Sequence, residues 1–352
     1  MSGAGMSRAP VTAAPAGAQA PVARAAGVAP EVPAGAAMSV SAALDASAVP
    51  FRDRVRTGAG PGVVRFAALG DSLTEGIGDP VPGGWRGWAA LLAEGIGGAG
   101  RTVDFRNLAV AGALSEDVHE CQAVAAAAFR PHLASVVVGV NDTLRRSFDI
   151  RRLSVRLDEV CALLADGGAV LLTACLPDPG TALGLPGPLR RPLARRQQAV
   201  NAVVHALSAR YDSVHLHASD PDWTEDRSLW SVDRLHPAER GHRRLAAGFH
   251  SLLAERGLAL GAPPGREPLQ PPPTRTAAAL WLATRGTGWL ARRSTDLLPE
   301  LLALAAAEAA HRARGTSGRL DARAARTLRE ALDDLPRTPH LRGLVPHARM
   351  EG

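Results

Sequence analysis

The chain predicts a three-layer α/β/α domain, in which helices cover both faces of a parallel β-sheet. Short apolar runs bounded by Gly or Pro, the pattern of buried parallel strands, recur from residue 63 onward. A stretch with helical periodicity separates each run from the next. Strands that alternate with helices imply right-handed crossovers and a parallel sheet. The predicted domain covers residues 59–260.

Five strands and five main helices are predicted in this domain. The strands are expected at 63–69, 102–107, 133–138, 169–174 and 214–216, and the helices at 85–96, 115–129, 150–166, 189–211 and 238–256. The helix at 150–166 has the clearest periodicity, because Leu153, Leu157, Val160 and Leu164 lie on one face. The closing helix follows the last loop of the domain.

Three segments lie outside the predicted domain. Residues 1–58 form a disordered leader rich in Ala, Pro and Gly, 261–275 a proline-rich linker, and 276–352 a helical extension. The extension is expected to pack on its own domain. Pairing with another chain is an alternative, and contact with a membrane surface is less favoured because arginines interrupt the faces that carry Trp281 and Trp289. The sequence indicates no particular oligomeric state.

Composition excludes some classes of partner. The 352 residues are 46% apolar and 21% charged, and all 40 basic residues are arginine, with a net charge of +6. Together with the excess of Ala, Gly and Pro, this arginine usage indicates a GC-rich genome more than a functional demand. The arginines are spread along the chain without a reading helix or an aromatic-rich binding sheet. We therefore expect no nucleic-acid partner.

The amino-terminal residues do not resemble a secretory signal. Pro10, Pro15 and Pro21 interrupt each candidate apolar core. A cytoplasmic location is expected, with secretion left open, and Met38 is a second candidate translation start. No run of about 18 apolar residues occurs, so no transmembrane helix is expected.

The cysteines and two histidines raise the question of a metal site. Cys121, Cys161 and Cys175 are odd in number and widely spaced, which argues against a disulfide framework and a zinc site, and all three are expected to be buried thiols. His215 and His217 would form a pair of ligands on a strand, but no acidic or histidine cluster at a suitable spacing joins them. We therefore predict no metal and no cofactor.

A serine directly follows the first predicted strand, in Gly70-Asp71-Ser72. Ligands of open α/β sheets bind at the carboxyl ends of the strands. A serine between such a strand and a helix can expose its hydroxyl while its backbone N–H points to a developing oxyanion. The same three residues also suit an ordinary turn. Ser72 is therefore a candidate nucleophile that needs partners elsewhere in the chain.

The candidate base is His236, which lies just before the closing helix. Asp233, three residues earlier, can accept a hydrogen bond from one ring nitrogen and leave the other facing the serine. Gly112 and Asn141 follow two further strands and are candidate oxyanion donors, although each alone suits a turn or a helix cap. Because parallel strands end at one edge, these residues are expected to converge on Ser72.

Four blocks in this order resemble the SGNH hydrolase superfamily, also called the GDSL lipase/esterase family. The similarity covers about residues 63–256. The blocks are Gly70-Asp71-Ser72-Leu73, Gly112 after Asn107-Leu108-Ala109, Gly139-Val140-Asn141-Asp142, and Asp233 through His236.

The resemblance implies a flavodoxin-like α/β/α sandwich and a metal-independent esterase. Ser72 would be the nucleophile, His236 the general base, and Asp233 the residue that orients it. The oxyanion hole would consist of the Ser72 and Gly112 backbone N–H groups and the Asn141 side chain. Members of the family cleave several kinds of acyl bond, so a small-to-medium acyl ester is the least specific expectation for the substrate. A carbohydrate O-deacetylase and a non-catalytic binding or scaffold module are the alternatives.

The residues around the substrate are a separate prediction. The loop at 76–88, with Trp85 and Trp88, and the segment at 177–192 are expected to line the pocket. Neither contains an arginine cluster or an aromatic platform diagnostic of phosphate or sugar.

Overall fold

A computed structural model describes residues 62–98, 100–269 and 287–335 of the chain. The predicted leader lies outside the described residues, as do part of the linker and both ends of the extension. Among the described helices, none combines the length and the apolar character needed to cross a membrane.

Five parallel strands form the central sheet, and a two-stranded hairpin lies beside it. The central strands are β1 (Val63–Gly70), β4 (Thr102–Asn107), β5 (Leu133–Val137), β6 (Val170–Cys175) and β7 (Val214–His217), and the hairpin is β2 (Pro80–Val81) with β3 (Gly84–Trp85). The strand order β4-β1-β5-β6-β7 is the flavodoxin-like order 2-1-3-4-5 when the central strands are counted along the chain. The predicted parallel, flavodoxin-like sheet is confirmed.

Helices connect the strands and continue after the last one. They are α1 (Ser72–Glu75), α2 (Gly87–Ile96), α3 (Ser115–Asp117), α4 (Ala123–Phe129), α5 (Val140–Thr143), α6 (Ile150–Asp166), α7 (Pro179–Ala182), α8 (Gly187–Arg210), α9 (Pro221–Thr224), α10 (Glu239–Glu255), α11 (Thr287–Ala313) and α12 (Ser317–Asp333). A π-helical turn, Val118–Gln122, joins α3 to α4. The helix predicted to begin at residue 85 begins at Gly87, because Trp85 pairs with Pro80 in the hairpin.

Two apolar layers hold the sheet between its helices. On one face α2 and α10 pack together, and the rings of Trp88 and Phe249 stack with their centroids 4.9 Å apart. On the other face α4, α6 and α8 cover the sheet. Cys161 and Cys175 are buried as predicted, but Cys121 is exposed, since the π-helical turn directs it away from the sheet that its neighbour Gln122 faces.

The described helices of the C-terminal extension pack on the same domain. Helix α11 contacts α8, and α12 contacts both α6 and α8. Ala331 and Leu335 are buried in the apolar layer beneath them. Arg195 forms ion pairs with the buried Glu308 at 3.0 Å and with Asp321 at 2.8 Å. Apolar and ionic contacts therefore both join this part of the extension to α8.

Candidate active site

Ser72 lies at the carboxyl edge of the sheet, where β1 gives way to α1. A side chain at Gly70 would place its Cβ 2.3 Å from the carbonyl oxygen of Val137, so only glycine lets β1 end this close to β5. The Gln122 side chain bonds both the N–H and the carbonyl of Gly70, at 2.8 and 2.9 Å. Asp71 then caps α1 by accepting from Leu73 N at 3.0 Å. Ser72 is therefore fixed as the first residue of a helix.

Ser72, His236 and Asp233 form a continuous line of hydrogen bonds. Nε2 of His236 lies 2.8 Å from Oγ of Ser72, and Nδ1 lies 2.7 Å from Oδ2 of Asp233. Oδ1 of Asp233 accepts from Ser231 Oγ at 2.6 Å and from the backbone of Leu235 and His236, each at 3.0 Å. A carboxylate is only an acceptor, so Nδ1 carries the proton and the lone pair of Nε2 faces the serine hydroxyl.

The charge of Asp233 is set by opposing effects. Burial raises the pKa of its carboxyl, but the hydrogen bonds and charge of His236, with the bond from Ser231, outweigh burial and bring the pKa to about 2. Asp233 is therefore ionised near neutral pH. A fixed negative charge at Nδ1 stabilises any positive charge that develops on the ring.

The two candidate oxyanion donors lie in different settings. Asn141 faces the same cavity as Ser72, and its Nδ2 donates to the Ala113 carbonyl at 3.1 Å and to Asp71 Oδ2 at 3.3 Å. Gly112 adopts a positive φ of 84° in the turn just before Ala113. It is not among the described residues that line the cavity. The structure thus places Asn141 in the same cavity as Ser72, and Gly112 in the turn that contacts Asn141.

A small apolar cavity opens beside Ser72 and His236. Its volume is ≈ 70 Å³. The apolar residues that line it include Leu176, Pro177, Ala182, Ala218, Trp223 and Trp230. The chemistry at Ser72 therefore faces a compact, mostly apolar space.

The prediction for the pocket walls is half right. The segment at 177–192 contributes, through Pro177 and Ala182. The tryptophans predicted from the 76–88 loop are wrong, because Trp88 is buried beneath α10 and Trp85 is 44% exposed in β3. Trp223 and Trp230 take their place. Their position between β7 and Asp233, on the approach to the base, is the sequence signal that could have indicated them.

Residues 68–244, half of the chain, match the GDSL-like Lipase/Acylhydrolase family. The chain belongs to this family. As a member of the GDSL-like lipase/acylhydrolase family it is a carboxylic ester hydrolase. A search of curated proteins found no match.

Solved structures similar to this chain include several esterases. An acetyl-xylooligosaccharide esterase, Axe2 from Geobacillus stearothermophilus, is 17% identical over 56% of this chain and 96% of its own, with a TM-score of 0.46. TesA is 21% identical over 55% and 99%, with a TM-score of 0.45. A putative GDSL-like lipase from Parabacteroides merdae is 14% identical over 54% and 95%, with a TM-score of 0.47.

In this GDSL-like hydrolase the loop at 76–88 binds the start of α10, the helix that follows His236. Arg86 binds Asp79 through two hydrogen bonds of 2.9 and 3.1 Å and Glu239 through one of 2.9 Å. Arg243 binds the same oxygen of Glu239 at 2.9 Å. Asp79 and Glu239 are both buried. Since Glu239 is the first residue of α10, this network anchors the chain three residues after His236.

His242 and Gly78 complete this anchor. Nδ1 of His242 accepts from the backbone N–H of Trp88 at 3.2 Å, so Nε2 donates to the carbonyl of Ile77 at 3.0 Å. Burial lowers the pKa of His242 to about 4, which keeps the ring neutral. A Cβ on Gly78 would lie 1.9 Å from the carbonyl oxygen of Pro237, so only glycine allows the loop to approach the residue after His236. The sequence contains no local pattern that indicates this anchor.

A second histidine cluster corrects the sequence analysis. His215 and His217 were predicted to lack partners, but His205 from α8 and Cys175 from β6 join them. One potential ligand atom from each of the four residues lies within 4.8 Å of the other three. The cluster escaped the sequence analysis because its members come from three elements.

Proposed function

We propose that the chain hydrolyses small acyl esters through an acyl-enzyme formed on Ser72. The observation that carries this proposal is the continuous line from Asp233 through His236 to Ser72, with hydrogen bonds of 2.7 and 2.8 Å. A nucleophile, a base and a residue that orients the base are the parts that acyl transfer by serine requires.

In the first step, Oγ of Ser72 attacks the carbonyl carbon of the ester while Nε2 of His236 takes the hydroxyl proton. The ring then carries a positive charge, which the ionised Asp233 stabilises at Nδ1. The carbonyl oxygen becomes the oxyanion of a tetrahedral intermediate. When this intermediate collapses, His236 returns the proton to the leaving alkoxide and an alcohol departs.

The second step reverses these roles with water. His236 takes a proton from a water molecule, the resulting hydroxide attacks the acyl carbon, and the proton passes back to Oγ of Ser72. A carboxylic acid is released and the free serine is restored. Each step needs an unprotonated Nε2 at its start, and the hydrogen bond to Asp233 places the proton of the neutral ring on Nδ1.

We assign three hydrogen-bond donors to the oxyanion. Ser72 begins α1, where the backbone N–H groups are not used inside the helix. Asn141 contributes its side-chain amide and Gly112 its backbone N–H. In the structure Nδ2 of Asn141 donates to Ala113 and Asp71, so an entering oxyanion competes for these hydrogens. A charged oxygen in a small apolar site is a stronger acceptor than the Ala113 carbonyl.

The size of the cavity supports a short acyl group. A space of ≈ 70 Å³ lined by Leu176, Ala218 and Trp223 accommodates a few carbon atoms. The same small space supports a second candidate function, the removal of acetyl groups from a carbohydrate. The two functions share the acyl group and differ in the alcohol, so assays of nitrophenyl acetate against acetylated xylan distinguish them.

A fluorophosphonate probe tests the catalytic proposal, because it labels only an activated serine. We expect the full chain to be labelled once, at Ser72, and Ser72→Ala to be unlabelled with an unchanged circular dichroism spectrum. Ser228→Ala is the matched control, since Ser228 is an exposed serine in the 3-10 turn Arg227–Leu229, and it should be labelled like the wild type. A folded wild-type protein that stays unlabelled would support a non-catalytic binding module instead.

A further inference from the structure

The cluster of three histidines and a cysteine follows from the register of the sheet. Strand β6 pairs with β7 so that Cys175 lies opposite His217 and Thr173 opposite His215. Alternate residues of a strand share a face, so these four strand residues (Thr173, Cys175, His215 and His217) lie on one side of the sheet. Helix α8 covers that side and adds His205, one helical turn before Ser208, which bonds Thr173.

The four side chains lie close together. The rings of His205, His215 and His217 have centroids 4.7 to 5.3 Å apart. Nδ1 of His217 lies 3.8 Å from Sγ of Cys175. Ligand atoms around a tetrahedral zinc ion lie about 3.3–3.6 Å apart, given Zn–N bonds of ~2.0–2.1 Å and Zn–S bonds of ~2.3 Å. The ligand atoms of the cluster lie within 4.8 Å of one another, so they would have to move closer by up to about 1.5 Å to reach that spacing.

Counting protons fixes the tautomer of His215. The hydroxyl of Ser208 donates to the Val204 carbonyl at 2.5 Å, so its proton is used there. The contact of 2.7 Å between the Ser208 and Thr173 oxygens therefore needs the proton of Thr173. Nδ1 of His215 lies 2.9 and 3.1 Å from these two oxygens and must supply its own hydrogen.

The other nitrogen of His215 is then a bare lone pair. Nε2 is buried and has no hydrogen-bond partner among the described residues. A buried acceptor without a partner costs free energy, on the order of 1–3 kcal/mol, unless something binds it. A histidine that donates Nδ1–H to an oxygen and presents Nε2 as a lone pair has the arrangement of a metal ligand.

The environment of Cys175 suits a bound thiolate. Its sulfur is buried and lies 3.1 Å from the hydroxyl of Ser219, which can donate to a thiolate. His205 and His217 are exposed, so an ion can reach the cluster from solvent. A sulfur with three imidazoles selects zinc-like ions over Ca²⁺ or Mg²⁺, which prefer oxygen ligands.

We propose that Cys175, His205, His215 and His217 bind one divalent transition-metal ion, with Zn²⁺ as the expected occupant. Four protein ligands complete a tetrahedron and leave no open position, as in structural zinc sites. Binding requires loss of the thiol proton to solvent. The ion would tie β6, β7 and α8 together.

The proposed site lies behind the wall of the catalytic cavity. Leu176 and Ala218, each next to a ligand in sequence, belong to the apolar layer on the opposite face and line the cavity. The metal is therefore expected to support stability rather than to contact the ester.

The test uses the full chain, stripped of metal, with Zn²⁺ and Co²⁺ as probes. We expect one equivalent of Zn²⁺ to bind, and Zn²⁺ at 100 times its Kd to raise Tm by ~5–10 °C. Bound Co²⁺ should show tetrahedral d–d bands and a thiolate charge-transfer band. Cys175→Ser should remove the charge-transfer band, whereas Cys121→Ser, the exposed-cysteine control, should retain it.

Histidine variants assign the remaining ligands. His205→Asn and His217→Asn replace exposed side chains and should fold, yet each should weaken Zn²⁺ binding by at least ~100-fold. His119→Asn, a half-buried control that pairs with Glu159, should bind like the wild type. Wild-type protein that takes up no Zn²⁺ above the level of His205→Asn, or a charge-transfer band that survives Cys175→Ser, would overturn the proposal.

Discussion

His236 and His215 share one feature, a hydrogen bond from Nδ1 to an oxygen, and differ in the group that provides that oxygen. In both rings an oxygen holds Nδ1; Nε2 of His236 faces Ser72, and Nε2 of His215 has no partner among the described residues. The partner of His236 is the carboxylate of Asp233, whose charge stabilises positive charge that develops on the ring during proton transfer. The partners of His215 are two neutral hydroxyls, and burial with two neighbouring histidines lowers its pKa to about 4. The first ring suits proton transfer, and the second suits coordination.

Among the variants that test this comparison, Asp233→Asn is expected to change the measured activity most. An amide can donate to Nδ1 and so stabilise the wrong tautomer, whereas the native carboxylate only accepts. We expect kcat for a nitrophenyl acetate ester to fall by about 10⁴ with an unchanged fold. Asp226→Asn is the control, since Asp226 also accepts from a serine two residues away but is not among the described residues that line the cavity. A rate within tenfold of wild type would remove Asp233 from the proposed mechanism.

Asn141→Ala tests the oxyanion rather than the ring. Loss of one donor should lower kcat by about 10²–10³ while KM changes little, because the bond strengthens only in the transition state. Steady-state kinetics with the acetate ester measures both constants. Thermal melting serves as the control, because Nδ2 also bonds Asp71 and Ala113. Unchanged kcat in a folded variant would contradict the role assigned to Asn141.

Ser208→Ala acts on the other histidine. It removes one of the two oxygens that hold Nδ1 of His215, so Zn²⁺ affinity should fall by about 10–100-fold. Esterase activity should stay within about twofold of wild type, because the cluster lies on the face of the sheet opposite the cavity. Competition with a chromophoric chelator measures the affinity. A loss of activity without a loss of metal binding would show that the two histidine sites are not separate.

The smallest expected effect is the pH dependence of the free energy of unfolding that Asp233 contributes. Its pKa of about 2 in the folded chain is lower than the ordinary ~3.9, so the carboxylate stabilises the fold above about pH 4. This contribution, on the order of 2 kcal/mol, is lost as the pH falls from 4 through 2. Urea unfolding of the wild type and Asp233→Asn at pH 5 and pH 2.5 measures it. The difference between the two proteins should shrink at the lower pH.

The sequence by itself determined the fold class and the residues that meet at the catalytic edge. Apolar runs set the strands, and parallel strands must end at one edge, so Ser72, Asn141 and the loop with Asp233 and His236 meet there. The Asp-x-x-His spacing even places Asp233 within reach of its ring. These results depend on local patterns and on a rule that holds for every parallel sheet.

Only the tertiary structure decided the pocket walls and the metal cluster. Trp88 and Trp223 are both tryptophans beside loops. Their roles differ only through packing, because Trp88 stacks on Phe249 and Trp223 lines the cavity. The cluster needs the register that sets Cys175 opposite His217 and the rotation of α8 that turns His205 toward them. Register and helix rotation are set by the sum of many distant contacts, so no local pattern contains them.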